Sequence, residues 1–296
     1  MDKVEFQWLH EGPTLKEALQ DLLGSSGQVL KRHFSSKQLT RKVEARDLIS
    51  LPLDYVNHLA INPIFEGPDP RIIQETADYL VLHKPPFLHC HPLCYSDKDT
   101  LLNFLSRENK LETLLVNRDN YDRGLLYRLD YETSGVIVLA KKDSILNGFR
   151  KDFSRMKSKY YWAIVNGDFD RDGSYEHFFR ATGVKGHKQV VTDIPKPDST
   201  SGKLKVKKVM EKEGKSLLLI KLETGLRHQI RAQLSFLGFP ILGDELYAGK
   251  KEDRLFLHAL KYEWETEAED EEAELFGRFF DMNSALQMSH DMFGAF

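Results

Sequence analysis

The chain has 296 residues, 41% of them hydrophobic, and its 42 Lys and Arg against 45 Asp and Glu leave a formal net charge of -3. That length and apolar content place it among globular proteins with one large domain, or a large domain and a small one. Runs such as "GVIVLA" and "LLLI" fall far short of the roughly 18–20 apolar residues that span a bilayer, so no membrane partner is expected. The near-balanced charge excludes a chain that is basic throughout.

The first residues, "MDKVEFQWLHEGP", lack a basic flank followed by an apolar core, and no secretory leader is expected from them. "TLKEALQDLL", residues 14 to 23, opens on a capping box, with Thr14 accepting from the third backbone amide and Glu17 reaching back. Leu15, Ala18, Leu19 and Leu22 form one face. The Ser-, Gly- and Lys-rich "GSSGQVLKRHFSSKQLTRK" follows, and "ARDLISLPLDYVNHLAINP" reads as a short strand and turn. Residues 1–62 are therefore expected to form a small module.

"ADYLVLHKPP" reads as a buried strand ended by a Pro-Pro break, with "DTLLNFLSREN" a capped amphipathic helix behind it. "VIVLAKK" is a strand. "DSILNGFRKDFSRM" is a helix with Ile145, Leu146, Phe149 and Phe153 on one side, and "KYYWAIVNG" returns as a strand. From Gly183 to Gly202 the Gly, Lys, Pro and Ser content predicts a loop. "KLKVKKVM" and "KSLLLIKLET", separated by "EKEG", predict an antiparallel hairpin. In "KLKVKK" the alternation predicts a strand with one wet, charged face. Strands interspersed with helices and at least one hairpin indicate α+β with a mixed or antiparallel sheet. The larger domain is expected over 63–275 and a terminal tail over 276–296, where "MNSALQMSHDMFGAF" is either a helix or a loosely held end.

Charge is unevenly spread. "WETEAEDEEAE" from Trp264 to Glu274 is acidic, and removing it leaves a body of modest positive balance that permits a nucleic-acid partner. The two cysteines, Cys90 and Cys94, supply no disulfide framework, which fits a reducing compartment, and the cytoplasm is the expected location. In "HCHPLC" the metal-type ligands His89, Cys90, His91 and Cys94 match no structural-zinc spacing, and no metal is expected.

"TGLRHQIRAQLSFLGFP" predicts a helix beginning at Arg227 and stopped by Gly238 and Pro240. His228 and Arg231 then stand at i and i+3, and Arg227 and Arg231 at i and i+4, forming one basic face. Ile230, Leu234 and Leu237 face the core. Cations at a helix N-terminus oppose its dipole, which an anion nearby would relieve. "RLDYETSG", residues 128 to 135, holds Asp130 ahead of a Thr-Ser-Gly turn; taken alone it is equally a turn leading into a strand.

Taken together, "RLDYETSGVIVLAKK" and "LETGLRHQIRAQLSFLGFPILGDELY" resemble the RluA family of RNA pseudouridine synthases. "YLVLHKPPFLHCHP", "KYYWAIVNG" and "LHAL" extend the likeness in order over residues 64–265. The resemblance implies the pseudouridine synthase fold, with a mixed, largely antiparallel sheet flanked by helices, and a monomer that isomerises uridines in ribosomal or transfer RNA without cofactor or metal. By the same resemblance Asp130 is the catalytic carboxylate, Arg231 its paired guanidinium, and Tyr161 the ring packed on the target base. Tyr160 is the neighbour that strand register would place on the opposite side. Arg128 is matched to the arginine that fills the space left by a flipped nucleotide, and Arg227 and His228 to RNA contacts. Tyr127, a further candidate RNA contact able to stack or donate, stands where the family motif has His, and Leu226 where it has a cation, which Arg227 supplies one position later. Those two departures motivate an alternative, a non-catalytic RNA-binding relative. Lys31, Arg32, Lys37, Arg41 and Lys42 are candidate RNA contacts in the amino-terminal module.

Overall fold

In the computed structural model, which describes residues 3–9, 12–151, 156–183 and 186–264, local signals account for the first helices. The capping box forms at α1 (Leu15–Leu23), with Thr14 Oγ1 accepting from the Glu17 amide at 3.3 Å and Glu17 accepting from the Thr14 amide at 2.8 Å. Leu15, Ala18 and Leu19 are buried, but Leu22 is 54% exposed because the short helix ends at Gly24 before its last turn is covered. Strand β1 (Lys3–Gln7) precedes this helix. The Ser- and Lys-rich stretch that follows holds α2 (Gly27–His33) and α3 (Ser36–Leu39). Ser26 caps the first, and Ser35 with Gln38 forms a second capping box on the other. Serine here starts helices rather than loosening the chain. Strand β2 (Leu48–Pro52) and α4 (Leu53–Val56) come next, and β2 pairs antiparallel with β1. Leu19, Leu30, Leu39, Val43, Leu51 and Tyr55 make a core of their own beneath this two-stranded sheet.

The rest is built on one nine-stranded sheet. Strands β3 (Arg71–Glu75) and β4 (Tyr79–Lys84) lead to α5 (Leu101–Arg107) and α6 (Leu111–Leu115). Then come β5 (Ser134–Ala140), α7 (Asp143–Lys151), β6 (Met156–Asn166), β7 (Gly173–Thr182), β8 (Lys188–Thr192), β9 (Thr200–Lys212), β10 (Lys215–Leu222), α8 (Gln229–Phe236) and β11 (Leu257–Trp264). The spatial order is β3-β4-β5-β11-β6-β10-β9-β7-β8. Every neighbouring pair is antiparallel except β5 and β11. This is the expected mixed α+β arrangement, and the β9–β10 hairpin forms as predicted.

All seven residues of β5 are buried, as an uninterrupted apolar strand covered on both faces should be. Along β6 the period of two sends Tyr161, Ala163 and Val165 into the main core with Leu82, Leu105, Ile230 and Leu234. Trp162 and Ile164 go to a second cluster on the opposite face. In β9, Leu204 and Val206 turn inward while Lys203, Lys205 and Lys207 stay exposed, the wet charged face expected of "KLKVKK".

The predicted 183–202 loop is partly wrong. Strand β8 lies inside it, β9 begins at Thr200, and β7 precedes it. Both β7 and β8 lie at the sheet margin, where exposed polar residues hide the alternation that would announce a strand. Helix α8 also starts two residues late, at Gln229, because His228 takes a left-handed conformation (φ 53°). Leu237 is its half-buried C-cap rather than a core residue. Phe153 and everything from 265 on, including most of the acidic run and the terminal "MNSALQMSHDMFGAF", lie outside the described residues.

Two buried imidazoles make stability pH-dependent. Burial, then the charges of Arg71, Arg254 and Lys84, pulls His83 from 6.5 to about 4. Burial, then His83 and Arg254, holds His258 well below its ordinary value, with Nδ1 2.9 Å from Ser134 Oγ. The unfolded chain takes up protons near pH 6.5 that the folded one refuses. This contribution is therefore complete above pH 6.5 and is lost as pH falls towards about 4. Urea midpoints should decline across that window, and His83→Gln should flatten the decline; an unchanged slope would remove His83 from the account.

Candidate active site

The site starts at the loop that precedes β5. Leu129 is buried and its backbone is gripped by Cys90, whose Sγ accepts from the Leu129 amide at 3.3 Å and donates to its carbonyl at 3.2 Å. The neighbours Arg128 and Asp130 therefore turn outward. A second grip comes from Lys84, fully buried at the end of β4, whose ammonium donates to the carbonyls of Pro85 (3.0 Å), Leu88 (2.8 Å) and Tyr131 (3.2 Å). Burial lowers its pKa to about 8, against the pull of Cys90, Asp130 and Glu132. Gly135 at φ 124° then lets β5 meet β11, since a Cβ there would stand 2.2 Å from the Ala259 carbonyl oxygen.

Helix α8 supplies the cations. Arg231 is 3% exposed, and its Nη1 lies 3.5 Å from Asp130 Oδ2 and 3.4 Å from Glu132 Oε2. Asp130 is thus paired through one nitrogen only; the bidentate partner is Asp244, which accepts from Nε and Nη2 at 2.8 Å each. Asp244 is 1% exposed. It sits just before a 3-10 turn, Glu245–Tyr247, that brings it under α8. Burial of Arg231 opposes its charge, but Asp244, Asp130 and Glu132 outweigh that and hold it above the ordinary arginine range. The consequence is division of labour: Asp244 fixes the guanidinium, leaving one edge for the half-exposed Asp130.

His228 completes the cluster. Its left-handed backbone swings the ring to within 3.7 Å of Asp130 Oδ2 through Nε2, while Nδ1 lies 3.2 Å from the Tyr247 hydroxyl. That hydroxyl accepts from the Gln189 amide at 2.8 Å; in the tautomer where it donates to Nδ1, the ring proton stands on Nε2, facing Asp130. Burial lowers the His228 pKa, although Asp130 pulls it up. The anion expected near this N-terminus is thus Asp130 itself.

Tyr161 lies on the same side, 7% exposed, with its hydroxyl 3.0 Å from that of Tyr262. Burial, and the nearby charge of Asp130, keep it protonated well above the ordinary phenol range. Tyr160 points away, with Lys221 and Lys261 ammonium groups each 5.8 Å from its ring centroid. Lys159, two residues before Tyr161, shares its face, and burial lowers its pKa to about 8.

Of the residues singled out from the sequence, Asp130, Arg231, His228 and Tyr161 come together; three others stand apart. Arg128 is exposed and donates to His91 Nε2 at 3.1 Å. Arg227 is exposed, lies outside α8, and donates to the Gly186 carbonyl at 3.2 Å instead of standing beside Arg231. The ring of Tyr127 is packed inward on Tyr262, centroids 3.9 Å apart. Its hydroxyl is buried, a position that supports the site floor rather than reaching outward. Leu226 packs beside Phe179, Ala232 and Tyr247. In "HCHPLC", Cys90 faces the core and His89 faces outward, so the two do not converge.

Asp244, Glu132, Tyr262, Tyr247 and Lys84 were missed as site residues, although "GDELY" and "YETSG" were in view. Their roles depend on which turn meets which helix, and no periodicity encodes that.

The profile of the family described as RNA pseudouridylate synthase matches residues 78–236. Ribosomal large subunit pseudouridine synthase D of Borreliella burgdorferi is 33% identical over 65% of this chain and 60% of its own length. The protein of that name from Pseudomonas aeruginosa is 32% identical over 61% and 54% respectively. The chain thus spans between half and two thirds of the length of these relatives. Among solved structures, human RNA pseudouridylate synthase domain containing 1 superposes with a TM-score of 0.53 at 21% identity, over 69% of this chain and 82% of that one. That likeness shows a shared fold.

Proposed function

The chain belongs to the RNA pseudouridylate synthase family, and from that premise we propose that it isomerises specific uridines to pseudouridine in structured RNA, with Asp130 as the catalytic carboxylate. Large-subunit ribosomal RNA is the preferred substrate, ahead of transfer RNA, because the two bacterial relatives carry that RNA in their names. The observation that carries the reading is the convergence on Asp130 of Arg231 at 3.5 Å, His228 at 3.7 Å and the buried Tyr161.

The reaction exchanges a ribose–nitrogen bond for a ribose–carbon bond on the same base. A proton leaves the ring carbon, one is gained at nitrogen, and nothing is added overall. A half-exposed carboxylate at the rim can act on sugar, base or proton. Arg231, fixed from behind by Asp244, orients it. Tyr161 offers a flat, partly apolar wall for a base taken out of its stack. Arg128, exposed on the same loop, is the side chain proposed to fill the gap that the base leaves.

Neither departure from the family motif touches Asp130, since Tyr127 packs on Tyr262 and Leu226 beside Tyr247. The non-catalytic alternative therefore gains no support from them. Purified protein incubated with total RNA lacking the modification, followed by nucleotide-resolution mapping, should yield discrete pseudouridines in large-subunit RNA. RNA binding without any pseudouridine would defeat the proposal.

A further inference from the structure

Beside Asp130 three rings stand in the open. Phe87 is 40% and Tyr131 37% exposed, and His89 is exposed too. The His89 and Tyr131 rings lie 4.4 Å apart at 33°, and those of Phe87 and Tyr131 5.9 Å apart at 61°. Large aromatic side chains normally contribute to a core. Here the chain alternates, with Leu88 and Cys90 buried and Phe87 and His89 facing out.

Two features show that the display is built. Phe87 has φ 61°, a left-handed conformation that costs a bulky residue energy and that glycine would adopt freely. The backbone strain sustains a ring that solvent does not favour. The two segments that carry the rings are also locked together. Leu88 donates its amide to the Tyr131 carbonyl at 3.2 Å, and the buried Lys84 ammonium binds the carbonyls of both Leu88 and Tyr131. The two backbone segments therefore cannot part without breaking buried polar contacts. Tyr131 directly follows Asp130, and the cation Arg128 stands on the loop's other side with its guanidinium on His91. An exposed cluster of aromatic faces on a fixed backbone is what an unpaired base recognises.

We propose that Phe87, His89 and Tyr131 form a stacking platform for an unpaired base next to the target uridine, and so help select where in an RNA the reaction occurs. This rests on the activity proposed above, since it takes the uridine to be the residue held at Asp130. The platform binds and positions; it takes no part in bond making.

The test compares wild type with Phe87→Gly, Tyr131→Ala and Tyr131→Phe, using an in vitro transcript of large-subunit ribosomal RNA. Filter binding and pseudouridine mapping are run on the same samples. Phe87→Gly deletes a ring while easing the backbone, so its folding is not at risk. It and Tyr131→Ala should bind roughly tenfold more weakly, with KM raised by a similar factor and kcat little changed, whereas Tyr131→Phe should behave as wild type. The loss should be the same at low and high salt, because stacking releases no counterions, in contrast to removal of a phosphate contact. Unchanged binding and KM in both ring-deletion variants would overturn the platform and leave the synthase reading intact. Wild type that binds the transcript but forms no pseudouridine would overturn the synthase reading, while the binding series would still decide the platform.

Discussion

Asp130→Asn protein folds normally and forms pseudouridine at least about 10³-fold more slowly than wild type, the loss expected when a nucleophile or general base is removed. Asn keeps the shape and can still accept hydrogen bonds, so the loss isolates the charge and basicity of the carboxylate. Stability should change by less than about 1 kcal/mol, the range of a partly exposed ion pair, because Asp130 is at 29% side-chain exposure and Arg231 keeps Asp244 and Glu132. Single-turnover mapping and a urea titration give both readouts. A fast Asp130→Asn protein would force the chemistry onto another group, with Glu132, 3.4 Å from the same guanidinium and half-exposed, the first to test.

A different signature belongs to Asp244. Asp244→Ala leaves the Arg231 guanidinium buried without its two 2.8 Å acceptors. Breaking a buried pair from one side costs about 3–5 kcal/mol, and the edge offered to Asp130 loses its anchor, so stability and activity fall together. Replacing both partners with apolar residues, Arg231→Met with Asp244→Leu, should recover much of the stability while activity stays lost. Denaturation midpoints of Arg231→Met, Asp244→Leu and the double variant, read as a cycle, separate the roles. If Asp244→Ala retained wild-type stability and rate, the anchoring role would be wrong.

How much of this was legible in the sequence follows physical lines. The β5 run, the capped helices and the β9–β10 hairpin are local patterns, and they appear where the residues place them. The choice of Tyr161 over Tyr160 comes from the family pattern; the period of two in β6 adds that the two rings face opposite sides. Asp130 is marked by its motif. Asp244 is different: its partner lies on a helix 13 residues earlier, joined through a turn, so only tertiary structure reveals that the bidentate pair excludes Asp130. Arg227 fails for a related reason. Helix periodicity put it beside Arg231, but His228 leaves helical geometry to reach Asp130, and that reversal detaches whatever precedes it. Strands β7 and β8 escaped because marginal strands of a sheet need little apolar sequence.

The order of strands carries a consequence for biosynthesis. Asp130 precedes β5 and Tyr161 lies in β6, yet these strands are not neighbours, because β11 is wedged between them. The spacing of the two residues is therefore set by the last described strand to emerge during translation, with Gly135 waiting for Ala259 across more than a hundred residues. A nascent chain that stops short of Leu257 can hold Asp130, Tyr161, His228, Arg231 and Asp244 and still lack Tyr262 and the strand that spaces them. Such long-range closure is slow compared with local helix formation. Chains truncated a few residues before and after β11 would show competence arriving in one step, when that strand becomes available.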